Sequence, residues 1–176
     1  MVNTKTAIKL LRCVGPAWYI SSPISTGSRK RTFEEHYSYI TNKNLYDSLY
    51  KKYVIEPNCA DARMLAESYR SDLLTVLCPA DFYEPSWSQE DYLAFWEEVI
   101  TESVHTIVFN DGWEYSHGCN EEFVLAHKLG IRCFAADNEA LSVEDGYNMA
   151  KHASQHEPWW PNVEKKYKEL LKNADA

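Results

Sequence analysis

The sequence predicts an α/β fold, a mostly parallel sheet flanked by helices in three layers. Three observations predict it. Short apolar runs rich in β-branched and aromatic residues stand at 17–21, 73–78, 106–109 and 131–136. Stretches with apolar residues at helical spacing alternate with them. The connections carry Pro, Gly, Asn and Asp, with no internal repeat and no low-complexity linker.

In chain order, Lys5 to Arg12 reads as a short helix ended by Gly15-Pro16. Ala17 to Ser21 reads as the first strand, and Ser22 to Ser28 as a hydroxyl-rich loop with one Gly. Arg29, Lys30 and Arg31 follow as the densest basic cluster. Hydroxyls, free backbone N–H groups and a basic cluster after a strand suit an anion; a solvated turn with exposed charges is the competing reading. Residues 33–53 are polar and aromatic and read as partly helical, with Glu56-Pro57-Asn58 as a break. Cys59 to Tyr69 is expected as a helix, and Leu73 to Cys78 as a second strand stopped by Pro79. An aromatic loop from Asp81 to Trp87 precedes Ser88-Gln89-Glu90-Asp91, which has capping-box character and opens a helix to about Glu102. Ile131 to Ala136 is a further strand, and helices are expected near 142–154 and 162–173.

At 176 residues, 45% hydrophobic and 25% charged, the chain is expected to be one soluble domain over residues 1–176. A net charge of −8 argues against DNA, RNA or an anionic membrane as partner, though not against one small anion. No apolar run approaches membrane-spanning length, and the opening MVNTKTAIKLLRC lacks a long apolar core or small-residue cleavage site. Five cysteines without a CxxC pair fit reduced thiols and a cytoplasmic location. His105, His117 and His127 show no metal-ligand spacing, so neither metal nor cofactor is expected.

The chemistry concentrates in His105–Leu129, HTIVFNDGWEYSHGCNEEFVLAHKL. A strand ends at Asn110-Asp111-Gly112, and a helical pattern begins near Gly118. Such a strand–loop–helix puts its loop and helix start at the carboxyl edge of a sheet, where open α/β proteins bind ligands. At 100° per residue, Cys119, Phe123, Leu125, Ala126 and Leu129 share one side, with Val124 as the exception. Glu122 falls near the middle of that apolar side, and Glu121 on the polar side near Lys128. A buried carboxylate is costly, so Glu122 is either functional or a helix-start Glu meeting the dipole. Cys119 reads as an activated thiolate or a small packed residue. The Trp159-Trp160 pair reads as packing or an interface.

Three pieces of the chain resemble one family. Tyr19-Ile20-Ser21-Ser22-Pro23-Ile24 is similar to the first-strand loop of the nucleoside 2-deoxyribosyltransferase-like superfamily, with Ser22 where members often have Gly. Ser116-x-Gly118-x-x-x-Glu122-x-x-x-Ala126 resembles its nucleophile motif. Trp87-Ser-Gln-Glu-Asp91-Tyr92 followed by Asp111-Gly-Trp-Glu-Tyr-Ser116 resembles the branch that hydrolyses pyrimidine nucleoside 5′-monophosphates. The likeness spans roughly residues 17–136 with the order of parts preserved.

The resemblance implies a flavodoxin-like or Rossmann-like fold and cleavage of an N-glycosidic bond. It implies Glu122 as nucleophile on the anomeric carbon, Asp91 assisting at the sugar or base, and Tyr19 beside the sugar. Ser116, Gly118 and the first loop, through Ser22, Ile24, Ser25, Arg29 and Arg31, would bind the nucleotide and its phosphate, with Asp111 nearby. Bottom-up, Asp91 competes with a helix-cap reading, Asp111 with a turn and Tyr19 with plain core. The expected activity is hydrolysis of a nucleoside monophosphate to free base and ribose or deoxyribose 5-phosphate, by a homodimer. A deoxyribosyltransferase and a non-catalytic nucleotide-binding module are the alternatives.

Overall fold

Strands β1 (Ala17–Ser21), β2 (Val76–Leu77), β3 (Val104–Phe109) and β4 (Arg132–Ala135) form one parallel sheet in the order β2-β1-β3-β4. The computed structural model describes residues 17–174. The helix expected over Lys5–Arg12 lies outside the described residues. Parallel neighbours need long crossovers, and seven α-helices among the described residues supply or flank them. These are α1 (Ser28–Tyr37), α2 (Lys43–Tyr50), α3 (Glu56–Tyr69), α4 (Gln89–Ser103), α5 (His117–Lys128), α6 (Val143–Ser154) and α7 (Trp160–Ala174).

Side-chain alternation sorts β1 and β3 onto two faces. Ile20 and Val108 meet Ala62 and Ala66 of α3 on one face. Tyr19, Ile107 and Phe109 meet Phe95, Val99 and Ile100 of α4 and Cys119, Phe123 and Ala126 of α5 on the other. The core of α6 and α7 continues this second layer through Ala150, Trp160, Val163 and Tyr167. The three-layer α/β sandwich is therefore as the sequence predicts. The strand order reverses between β1 and β3, which marks their carboxyl ends as the crevice of the sheet. None of the helices among the described residues is long and apolar enough to cross a membrane.

Three local readings change. The second strand shrinks from 73–78 to Val76–Leu77: Ser71 and Leu74 close a tight turn, and Leu73 is 98% exposed. Glu56-Pro57-Asn58 does not break the chain, because α2 runs into α3 through a wide π turn at Lys51–Ile55. The Glu56 N–H reaches back to the Lys51 carbonyl, and the widened turn gives room for a proline that lacks an N–H and crowds the preceding turn. Val124, expected off the apolar side, is buried, while Leu129 is 45% exposed. Both α4 and α7 pack against α5, and Leu129 lies past its last turn, ahead of Gly130 at φ 68°.

Two helices approach closely where α6 crosses α5. A Cβ on Gly146 would stand 2.2 Å from Cζ of Phe123. Phe123 is fully buried and stacked on Trp113 at 4.9 Å between centroids, so its ring has nowhere to move. Gly146→Ala is expected to lower stability by about 1–3 kcal/mol, as overpacking of a filled core does. Urea unfolding checks this, and a midpoint equal to wild type would contradict the packing.

Candidate active site

The centre of the site is Glu122, in the second turn of α5. Its position on the helix turns the side chain toward β1, where two hydroxyls meet it. Tyr19 Oη donates to Oε1 at 2.6 Å and Ser21 Oγ donates to Oε2 at 2.6 Å. Tyr19 and Ser21 lie two apart on one strand, so pleating puts both on the same face. Both are fully buried. Trp96 of α4 closes the other side of the Tyr19 ring at 5.5 Å.

Burial pushes the Glu122 carboxyl up to about 7, against the Ser21 and Tyr19 hydrogen bonds that pull it down. Part of its surface nonetheless faces a cleft, so it is both poorly solvated and reachable. Burial, and then the charge of Glu122, raise the Tyr19 phenol well above its ordinary range, which leaves it a hydrogen-bond donor rather than an acid. Burial likewise pushes the Cys119 thiol up to about 12, with the Glu122 charge adding to it. Cys119 is thus a packed thiol and not an activated nucleophile.

The cleft beside Glu122 measures about 280 Å³ and opens between α4 and α5. Leu93, Val124 and Leu125 give it apolar walls, and Glu97 and Lys128 stand on its rim. Glu121 accepts from Lys166 Nζ at 2.6 Å and lies 3.4 Å from His117 Nε2. Burial pushes Glu121 up, but the bonds to His117 and Lys166 leave it below the usual carboxylate range. The two adjacent glutamates thus differ sharply: one ion-paired at the rim, one held by neutral hydroxyls within.

Ser116 is the N-cap of α5 and is buried. Its Oγ accepts from the Cys119 N–H at 3.5 Å and from Thr26 Oγ1 at 2.8 Å. Asn110 donates from its backbone to Ser21 O at 2.9 Å and from its side chain to Ser22 Oγ at 3.1 Å. The β1–α1 and β3–α5 loops are thereby joined over the crevice. Gly118 stands beside Leu93.

The first loop is anchored from below as well. Asn58, buried in α3, donates to the carbonyls of Ile24 and Thr26 at 3.0 and 3.1 Å, and Tyr50 Oη donates to Ser25 O at 2.5 Å. Arg29 bonds Asn58 Oδ1 at 2.8 Å and Asp61 at 2.7 Å. Lys30 and Arg31 pair with Glu34 and Glu35 along α1. Arg29 is thereby anchored to α3, while Lys30 and Arg31 make exposed pairs one turn along α1. Ile24 packs against the α3-side core, and Asp111 is an exposed turn residue.

Asp91 adopts the cap reading. Its Oδ2 accepts from the Ser88 N–H and Ser88 Oγ, each at 2.9 Å, and those two bonds hold its exposed carboxyl below the usual range. Among the residues expected at the site, the structure joins Tyr19 to Glu122 and gathers Ser22 and Ser116 at the loop junction. It brings neither Arg31 nor Asp91 into hydrogen-bonding contact with Glu122. The sequence reading missed Ser21, Thr26, Asn58 and Asn110. Ser21 left a readable signal in its place two residues beyond Tyr19 on a predicted strand, and Thr26 in its place within the hydroxyl-rich loop. Among the described residues, no group of three or more His, Cys, Asp or Glu could hold a metal ion.

No family model, curated protein or solved structure gives a significant match to the chain.

The raised Glu122 carboxyl makes stability depend on pH with a definite sign. Between its ordinary value near 4.5 and its folded value of about 7, the native state keeps a proton that the unfolded chain has lost. The stability linked to this group is therefore complete below about pH 4.5 and is lost as pH rises to about 7, a loss on the order of 3 kcal/mol. Glu122→Gln cannot titrate and is expected to gain stability relative to wild type between pH 5 and 8. Urea melts of both proteins at those two pH values test it; parallel pH dependence would contradict the burial of an ionisable carboxyl.

Proposed function

We propose that the chain is an N-glycosidase acting on nucleoside 5′-monophosphates, with a preference for pyrimidines, and that Glu122 is its nucleophile. One observation carries this reading: a carboxylate on the apolar face of α5 has both oxygens held by strand hydroxyls and also borders a cleft. Cleavage of an N-glycosidic bond develops positive charge on the sugar ring. A carboxylate fixed beside the anomeric carbon stabilises that charge or attacks it, and poor solvation strengthens the interaction. The resemblance of Trp87–Tyr92 followed by Asp111–Ser116 to the monophosphate-hydrolysing branch supplies the substrate class.

Within this reading each residue has a task. Glu122 in its ionised form attacks the anomeric carbon, and the electrons of the broken bond go to the base. A pyrimidine leaving group delocalises them over its ring nitrogen and carbonyl oxygen and takes a proton from water. A second water then cleaves the glycosyl ester to release the sugar phosphate and regenerate the carboxylate. Tyr19 orients the carboxylate and takes no proton from it. Ser116 and the N–H groups of the first turn of α5 face the phosphate. Asp91 assists at the sugar or base only when its bonds to Ser88 open, since in its cap it is an ionised surface group. The substrate is a small molecule, and the expected homodimer and cytoplasmic location belong to the same proposal.

A specific observation favours a second reading, transfer of a deoxyribosyl group between bases. Arg29 is tied to α3, and Lys30 and Arg31 pair along α1, which weakens one reason to prefer a phosphorylated substrate. Incubating the protein with nucleosides and nucleotides, with and without an acceptor base, separates the readings by chromatography. Base release from monophosphates without acceptor supports hydrolysis. Release that requires an acceptor supports transfer, and tight binding without release supports a sensor.

Glu122→Gln is expected to abolish base release from the nucleotide that wild type cleaves, whereas Glu121→Gln retains it. Because the nucleophile must be ionised, kcat/KM of wild type is expected to fall about tenfold per pH unit below about pH 7. A folded Glu122→Gln protein with full turnover, or activity that rises toward low pH, would remove Glu122 from the role.

The phosphate arm is tested separately. Ser116→Ala is expected to weaken binding of a nucleoside monophosphate roughly tenfold or more relative to the matching nucleoside, the cost of one hydrogen bond to a charged group. Calorimetric titration of both ligands against both proteins gives the ratio. A ratio that stays constant would place the phosphate away from the α5 N-terminus.

A further inference from the structure

Ser21 ends β1 and is fully buried. Its hydroxyl gives its one proton to Glu122 Oε2 at 2.6 Å. Tyr19, from the same face of the same strand, holds Oε1. A carboxylate held at one oxygen still rotates about its last torsion, which is soft and broad. Held at both oxygens by groups on one rigid strand, it has one orientation.

We propose that Ser21 is a positioning residue: its hydroxyl fixes the orientation of the Glu122 carboxylate and favours its ionised form against burial in the sandwich. The groups around Glu122 make the assignment specific. From β1 it meets Tyr19, a neutral donor. From α5 it meets Cys119, a neutral thiol, with Glu121 and Lys128 farther along the helix at the cleft. Glu97 of α4 and Lys166 of α7 also face the cleft, the latter bonded to Glu121, which in turn lies beside His117. The hydrogen bonds that reach the Glu122 carboxylate come from the two hydroxyls of β1. Of the two, Ser21 pulls the carboxyl down more strongly than Tyr19. For its kinetic consequence this inference rests on the N-glycosidase reading; for the carboxyl itself it does not.

The experiment has two arms. In the first, full-length protein with carboxyl-13C glutamate is titrated by NMR, and the Glu122 resonance is assigned by its loss in Glu122→Gln. Ser21→Ala is expected to raise the Glu122 midpoint by about one pH unit or more, the equivalent of one hydrogen bond to a charged group. Ser21→Thr, which keeps the hydroxyl, is expected to restore the wild-type midpoint. Ser21→Cys keeps the bulk with a weak donor and is expected to give the same rise as alanine, which covers the case in which the alanine cavity unfolds the chain. In the second arm, base release from cytidine and deoxycytidine 5′-monophosphate is followed against pH. The acid limb of kcat/KM in Ser21→Ala and Ser21→Cys is expected to move upward by the same amount as the NMR midpoint, and Ser21→Thr to leave it in place. An unmoved midpoint in Ser21→Ala or Ser21→Cys, or an equal rise in Ser21→Thr, overturns the proposal. A midpoint that moves as expected while no nucleotide releases base supports the role of Ser21 and removes the N-glycosidase reading instead.

Discussion

Placing a carboxylate between a helix and a sheet costs several kcal/mol unless hydrogen bonds replace the water it leaves. In this chain two hydroxyls from β1 provide those bonds, and much of the surrounding construction serves to keep them in place. Tyr19 and Ser21 reach Glu122 only if β1 is central, since an edge strand would not lie beneath the second turn of α5. β1 is central because β2 and β3 flank it on opposite sides. The same order creates the switch point at the carboxyl ends of β1 and β3. Strand order, helix phase and site are therefore one constraint seen at three scales.

The aromatic residues enforce that geometry. Trp96 backs the Tyr19 ring, Phe82 and Phe95 pack on Trp96, and Trp87 and Tyr92 extend the cluster from Phe82 and Phe95. On the far side of α5, Phe109, Trp113, Phe123 and Tyr167 form a second group, which Gly146 of α6 admits at close range. Rings have few torsions, so such clusters hold a helix at a defined height and rotation with little entropy left to lose. A helix fixed in this way can present one glutamate inward and the next one outward to Lys166. The different proton affinities of Glu121 and Glu122 follow from that rotation.

Much of this was legible in the residues. The apolar run 106–109 and the helical pattern after Gly118 identify β3 and α5, and the 100° wheel places Glu122 inward. The wheel misjudged Val124 and Leu129 because it assumes one buried side and no helix end. Local pattern does not reveal that α4 and α7 cover α5 from two directions, nor that the last turn closes before Gly130. The first loop shows the same boundary more sharply. Its composition suggested an anion cradle, but Arg29 finds Asn58 and Asp61 about thirty residues away in sequence, a pairing set by the packing of α3 on the sheet. Pro57 reads as a break because proline usually is one, and the π turn before it is a tertiary solution to a local conflict. Asp91 was ambiguous in sequence because a capping Asp and a catalytic Asp occupy the same kind of place.

The internal pairing of the basic cluster also bears on how an anion could be held. If Arg29 and Arg31 are occupied, a phosphate must rely on neutral donors: the N–H groups opening α5 and the hydroxyls of Ser22, Thr26 and Ser116, which already knit the two loops together. Neutral donors suit an acidic chain in one respect. They orient an anion by geometry and remain effective when salt screens surface charge. They also cost selectivity for charge, because a sugar hydroxyl can satisfy the same groups. On the N-glycosidase reading proposed above, the junction of Thr26 with Ser116 is where phosphorylated and unphosphorylated substrates would be told apart, by whether the ligand outcompetes the bond between those two hydroxyls.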